Sequence, residues 1–238
     1  MKEIIAMHGW CGESSDWAKW QKYFNKNGWI WHSHERGYGE IDPKEANWSN
    51  NKVTGCLNKQ ILICHSLGLH LIKKEILEKA THIILLSSFS RFIPTSENNR
   101  SIIFALERMK RALGSLEEKT MIRKFLQKSC KPYPLTMSPS RLLMQGLSLP
   151  GRNKLNDDLE LLIRTDGLPK GFPRQSFVLV IHGEKDAILL PGTKKQLITD
   201  LTKFLQTKPI HLHISGDGHS LLKPEAMQRV KQWIDAYS

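Results

Sequence analysis

The chain has 238 residues, 40% of them hydrophobic and 24% charged, with a formal net charge of +12. That is enough apolar material for one sizeable core, and no run approaches the roughly 18 consecutive apolar residues of a membrane span. Four scattered cysteines (Cys11, Cys56, Cys64 and Cys130) without a Cys-x-x-Cys pair exclude a metal or disulfide framework and suit reduced thiols in the cytoplasm.

In chain order, residues 3–7 form a short apolar strand, too brief for a signal peptide, that runs into His8-Gly9-Trp10-Cys11-Gly12. A His-Gly turn at a strand end suits a backbone that presents an N–H group rather than a side chain. Ser15 or Asp16 caps a helix over 17–27, with Trp17, Trp20 and Phe24 on one face. Residues 29–33 read as a second strand, and 42–58, opened by Pro43, as a weakly amphipathic helix. The apolar run Ile61 to Cys64 is a third strand. It turns through His65-Ser66-Leu67-Gly68 into a helix reaching Lys79, with Leu69, Ile72, Ile76 and Leu77 on its apolar face. A fourth strand, 82–86, lands on Ser87-Ser88. Such alternation predicts a mostly parallel sheet covered on both faces, with functional groups beyond the carboxyl ends of its strands.

Between residues 91 and 171 the strand pattern stops. Helical patterns over 100–113, 116–129, 139–149 and 155–163 replace it, punctuated by Pro132, Pro134, Gly146, Pro150 and Gly151. Residues 1–90 and 172–238 are therefore expected to form one α/β core, with 91–171 a helical cap inserted over its site; a separate small helical domain is the other reading. Strands return at 177–181, followed by Gly183-Glu184-Lys185-Asp186, and at 209–214, followed by Ser215-Gly216-Asp217-Gly218-His219. A helix over 224–237 closes the chain.

Three strand ends thus carry Ser66, Asp186 and His219. A strand that turns sharply into a helix through x-Ser-x-Gly exposes the serine oxygen at the sheet edge, and Ser…Asp…His is the chain order of the α/β-hydrolase triad. A serine hydroxyl needs a base, here His219, and the base needs an acid, here Asp186, to hold its tautomer. Glu184 and Asp217 are rival acids. Asp217 lies too close to His219 in sequence to partner it. The backbone N–H groups of Trp10 and Leu67 are the candidate oxyanion donors.

On these motifs the sequence resembles the α/β-hydrolase superfamily over nearly its whole length. Within it, His8-Gly9-Trp10 followed by Trp17 looks like the oxyanion loop of the esterases that demethylate pimeloyl-[acyl-carrier-protein] methyl ester in biotin synthesis. Cys64 stands where the first elbow glycine is usual and Leu69 where a further glycine is common, and the superfamily's first antiparallel strands are expected to be missing. The resemblance implies a V-shaped cap whose basic residues grip an acidic carrier protein. Residues 100–131 hold nine Lys/Arg against three Asp/Glu, half of the net charge. Arg108, Arg111, Arg123, Lys124 and Lys128 are the candidates for that surface. No helix-turn-helix, zinc-finger or RNP-like pattern accompanies the charge, which sets nucleic acid aside.

The expected function is a serine carboxylesterase acting on an acyl-carrier-bound methyl ester, without metal or organic cofactor. The alternatives are a thioesterase or general short-chain carboxylesterase of the same fold, or a non-catalytic binding protein that keeps the fold.

Overall fold

The computed structural model describes residues 2–49, 59–95, 99–138 and 140–237. Six strands form one sheet: β1 (Lys2–Met7), β2 (Ile30–Ser33), β3 (Lys59–His65), β4 (His82–Leu86), β5 (Phe177–Gly183) and β6 (Ile210–Ile214). Their order is β2-β1-β3-β4-β5-β6, and every pairing is parallel. Because the order reverses between β1 and β3, the carboxyl ends of these two strands form the switch point where open parallel sheets take their ligands.

Strand residues alternate between two apolar layers. Ile5, Met7, Leu62, Leu85 and Val180 face one, with helices α3 (Lys74–Leu77) and α8 (Pro191–Phe204) over them. Ile4, Ile63, Ile84, Leu86 and Ile181 face the other, covered by α1 (Ala18–Lys26) and α9 (Pro224–Ala236). The near-continuous apolar runs of the central strands are the signature of a sheet buried on both sides.

Among the described residues, four α-helices lie between β4 and β5, α4 (Arg100–Ala112), α5 (Glu118–Cys130), α6 (Arg141–Gln145) and α7 (Leu149–Arg164). Their inner faces share a third apolar cluster with Trp10, Cys11, Tyr38, Leu67, Phe89 and Leu189, all from loops at the sheet's carboxyl edge or just after them. Among the described residues, the buried apolar side chains of these helices thus belong to one cluster with those of the sheet's loops.

Several elements differ from the sequence reading. No helix forms over 42–49, where the backbone makes an antiparallel bridge between Glu35 and Lys44; residues 50–58 of that expected helix, with Cys56, lie outside the described residues. This segment spends its polar groups on tertiary partners: Ala46 N–H points at His34 Nδ1, Trp48 Nε1 donates to Ile76 O, and Ser49 bonds Glu3. The helix expected to reach Lys79 is two short ones, α2 (Gly68–Leu71) and α3, separated by extended backbone at Ile72 and Lys73. Leu69, Ile72, Ile76 and Leu77 are nevertheless all buried, so their spacing reported burial rather than an unbroken helix. Helix α7 begins six residues before the expected start, because Ser148 accepts from Gly151 N–H and Pro150 occupies the first turn. Gly146, at φ +92°, ends α6 early.

Candidate active site

Ser66 follows β3 with φ +53°, a left-handed conformation that a non-glycine residue adopts only at a cost of about 1–3 kcal/mol. Neighbouring strands hold it there. Its N–H donates to Leu86 O at 2.9 Å, and Ser88 Oγ donates to its carbonyl at 2.7 Å. Two glycines let the surrounding backbone close in. A Cβ at Gly68 would lie 2.7 Å from Met7 O, and one at Gly9 would lie 2.8 Å from Ser66 Cβ. Cys64, in the usual first-glycine position, is fully buried and packs with Met7 and Leu85 in the sheet; burial pushes its thiol pKa up. Leu69 is buried in the same layer.

His219 comes from the loop after β6 and Asp186 from the loop after β5. Ser66 Oγ lies 3.0 Å from His219 Nε2, and His219 Nδ1 lies 2.9 Å from Asp186 Oδ2. With Asp186 ionised, Nδ1 is the donor to the carboxylate and Nε2 is free to accept from the serine hydroxyl. Burial alone would raise the Asp186 pKa, but the charge and hydrogen bond of His219, with the N–H groups of Leu189 and Ile188, lower it to about 2. The three strand-end residues are thus brought into one hydrogen-bonded line.

The rival acids are occupied elsewhere. Glu184 accepts from Ser215 Oγ and Gly216 N–H, stapling the histidine loop from outside. Asp217 accepts from the N–H groups of Gly218, Leu222 and Lys223, shaping the same loop from within. The other histidines also have separate settings. His65 donates through Nε2 to His219 O at 2.9 Å and is held neutral, its pKa lowered to about 4 by burial and then by His219. His8 sits beside Glu35 and Arg36, and His182, His211 and His213 gather on β5 and β6.

Trp10 and Leu67 flank Ser66 from the two sides of the switch point. Among the described residues no hydrogen bond engages either N–H, which leaves both able to meet charge that develops on a carbonyl oxygen at Ser66. The Trp10 indole donates to Leu155 O of α7 at 2.9 Å, and its ring meets Phe125 of α5 edge-on at 4.7 Å.

Ser66 and Trp10 open into a cavity of about 1040 Å³ between α4, α5 and α7. Its wall is mainly apolar, including Leu106, Met109, Met121, Phe125 and Leu159. Arg108, Arg111, Lys124 and Lys128 line it as well, whereas Arg123 stands exposed on α5 away from it. Among the described residues no group of three or more His, Cys, Asp or Glu is arranged to hold a metal ion. None of their helices is long and apolar enough to cross a membrane.

Sequence reasoning missed Arg36, Tyr38 and Asp158. The buried Asp158 carboxylate accepts from Arg36 Nε at 3.0 Å, Arg36 Nη2 at 2.5 Å and Tyr38 Oη at 2.5 Å. One signal was present: Asp158 falls between Leu155, Leu159 and Leu162, a charge on an otherwise apolar helix stripe.

No protein-family model matches this sequence, and no curated protein matches it. Solved structures do. An esterase from Exiguobacterium antarcticum superposes with a TM-score of 0.70 at 16% identity, covering 99% of this chain and 91% of that one. An alpha/beta hydrolase enzyme from a Medee basin deep-sea metagenome library gives a TM-score of 0.65 at 14% identity, over 96% and 87% of the two chains. The fold is that of the α/β-hydrolases. A bromoperoxidase from Bacillus anthracis, with a TM-score of 0.68 at 13% identity over 98% and 90%, shares it. In this chain the loops after β1, β3, β5 and β6, all at the carboxyl edge of the parallel sheet, carry Trp10, Ser66, Asp186 and His219.

Proposed function

We propose that this chain is a serine carboxylesterase. The observation that carries the reading is the hydrogen-bonded line Ser66–His219–Asp186 at the floor of an apolar cavity. Ser66 Oγ attacks the ester carbonyl while His219 Nε2 takes its proton. Asp186 holds the ring and stabilises the imidazolium. The N–H groups of Trp10 and Leu67 receive the oxyanion, and His219 returns the proton to the departing alkoxide. Water, activated by the same histidine, then releases the acid from Ser66.

The substrate we propose is the methyl ester of pimeloyl-[acyl-carrier protein], a step toward biotin, with methanol as the leaving group. Support comes from the His8-Gly9-Trp10 loop, from a cavity suited to an acyl chain, and from four cations that line that cavity and would attract an acidic carrier. The helices at residues 91–171 act in this reading as a cap that builds the acyl site. Esterases among the structural neighbours support the broader activity, hydrolysis of short-chain carboxylic esters.

The test is release of the free acid from the carrier-bound methyl ester, with Ser66→Ala as control. Serine-dependent turnover well above that on p-nitrophenyl esters supports the full reading. Turnover of small esters alone keeps the esterase and discards the carrier. Preference for thioesters reassigns the leaving group, and no turnover on any of these favours a binding protein.

A further inference from the structure

We infer that Asp158, some 90 residues from the nucleophile in sequence, is a positioning residue for the oxyanion loop; this rests on the esterase reading above. Beside the contacts of His8 with Glu35 and of Gly9 O with Gly12 N–H, two anchors of the loop His8-Gly9-Trp10 lead to helix α7. At one end the Trp10 indole N–H donates to Leu155 O. At the other, the Arg36 N–H points at His8 Nε2, 3.2 Å away, while the Arg36 guanidinium grips Asp158. Leu155 and Asp158 are one helical turn apart, so the two anchors close a circuit through a single turn of α7. The Trp10 backbone lies inside that circuit.

The contact between α7 and residues 36–38 is close all along. Lys154 Nζ donates to Arg36 O at 2.7 Å, and Ser148 N–H to Tyr38 O at 3.3 Å. A Cβ at Gly151 would lie 1.9 Å from Tyr38 O, so only glycine fits there. Asp158 is 2% exposed and accepts three bonds from two side chains, which leaves it one stable orientation. Burial works against the Arg36 charge, yet the hydrogen bond and charge of Asp158 outweigh it and raise the Arg36 pKa. The pair joins a buried carboxylate to a guanidinium side chain that is 26% exposed, and its part in this inference is to fix geometry. What it fixes here is where α7 puts Leu155 O, and so where Trp10 presents its N–H. Misplacing a catalytic group by about 1 Å costs on the order of 10²-fold in rate.

Asp158→Asn is expected to lower kcat on p-nitrophenyl butyrate about 10- to 100-fold, with KM within about twofold of wild type, because substrate binding does not use the oxyanion donor. The inhibition constant of a trifluoromethyl ketone, which binds as a tetrahedral adduct, should rise by the same factor. Tyr38→Phe, which keeps the Arg36–Asp158 pair, should move both in the same direction by about threefold. Glu160→Gln, which breaks an ion pair of α7 with Lys110 of α4 and another within α7 with Arg164, should move neither. Exchange of the Trp10 indole proton, assigned by NMR against Trp10→Phe, should speed up in Asp158→Asn and Tyr38→Phe but not in Glu160→Gln. An unchanged kcat in folded Asp158→Asn overturns the inference, as does a lower kcat with unchanged ketone affinity. Should Asp158→Asn not fold, the Tyr38→Phe measurements decide. If wild type hydrolyses no ester, the esterase reading fails by itself, and indole exchange alone still judges the circuit: unchanged exchange breaks it.

Discussion

The loops at the sheet's carboxyl edge and the helices inserted between β4 and β5 are built by different means. In the edge loops, backbone meets backbone. Gly9 lies against Ser66, Gly68 against Met7 O, and a Cβ at Gly183 would lie 2.2 Å from Gly218 O. Such contacts leave no slack, which suits groups that must hold a reacting carbonyl. The inserted helices meet one another through long side chains, as in Arg152 with Glu118 and Lys110 with Glu160, although Gly151 of α7 packs directly against Tyr38 O. In the esterase proposed above, this contrast is a division of labour: a rigid backbone edge for the chemistry and a side-chain wall for choosing the acyl group.

That contrast is open to attack, beginning at the edge loops. Ser66→Ala should remove ester hydrolysis by about 10⁶-fold, the loss typical of a triad nucleophile, while leaving the thermal transition in place. Asp186→Asn should cost about 10⁴-fold, because the amide favours the wrong tautomer of His219. Turnover near wild type would point to another acid. Gly9→Ala forces a methyl against Ser66 Cβ and His65 O, and should lower kcat on the order of 10²-fold with a folded protein. Changes in the inserted helices should behave differently. Charge reversal at Arg108, Arg111 and Lys124 should raise KM for the carrier-bound ester about tenfold and leave small esters within about twofold. Equal effects on both substrates would erase the distinction between the two regions.

A separate expected effect concerns pH. Burial above all lowers the pKa of His182 to about 3 and those of His65 and His211 to about 4. Below the ordinary histidine value near 6.5, the unfolded chain takes up protons that the folded chain refuses. Stability should therefore fall gradually from about pH 6.5 to about pH 4. The carboxylates of Asp186 and Glu35, both held at about 2, add a further loss as pH falls below the usual carboxylate range toward 2. Urea midpoints measured from pH 8 to pH 3 check this; a curve flat down to pH 4.5 would contradict it.

The α/β alternation and the strand ends were legible because their signals are local. Ile61 to Cys64 is a strand by composition, and Ser66-Leu67-Gly68 is a turn by spacing. Those few residues also decide where Ser66 stands, since β3 occupies the switch point. Residues 42–49 misled for the opposite reason. Their fold depends on Glu3, His34 and Ile76, distant partners that outweigh a weak helical pattern. Asp158 was invisible on similar grounds, because its partners Arg36 and Tyr38 are 122 and 120 residues away. Amphipathic spacing located most of the inserted helices, yet it carries nothing about which face meets which. The lining of the cavity became readable only with the helices in place.

The end of α5 carries a practical consequence. Ser129 O accepts from Ser220 N–H, Tyr133 Oη donates to Gly216 O, and a Cβ at Gly218 would lie 1.7 Å from Lys131 O. Residues 129–133 thus act as a wall for the loop that presents His219. Anyone grafting foreign helices onto this scaffold to change its substrate has two usable seams, one after β4 and one ahead of Ser129. A graft that runs through 129–133 would retune the base along with the pocket, so libraries for new substrates should stop one turn short of it.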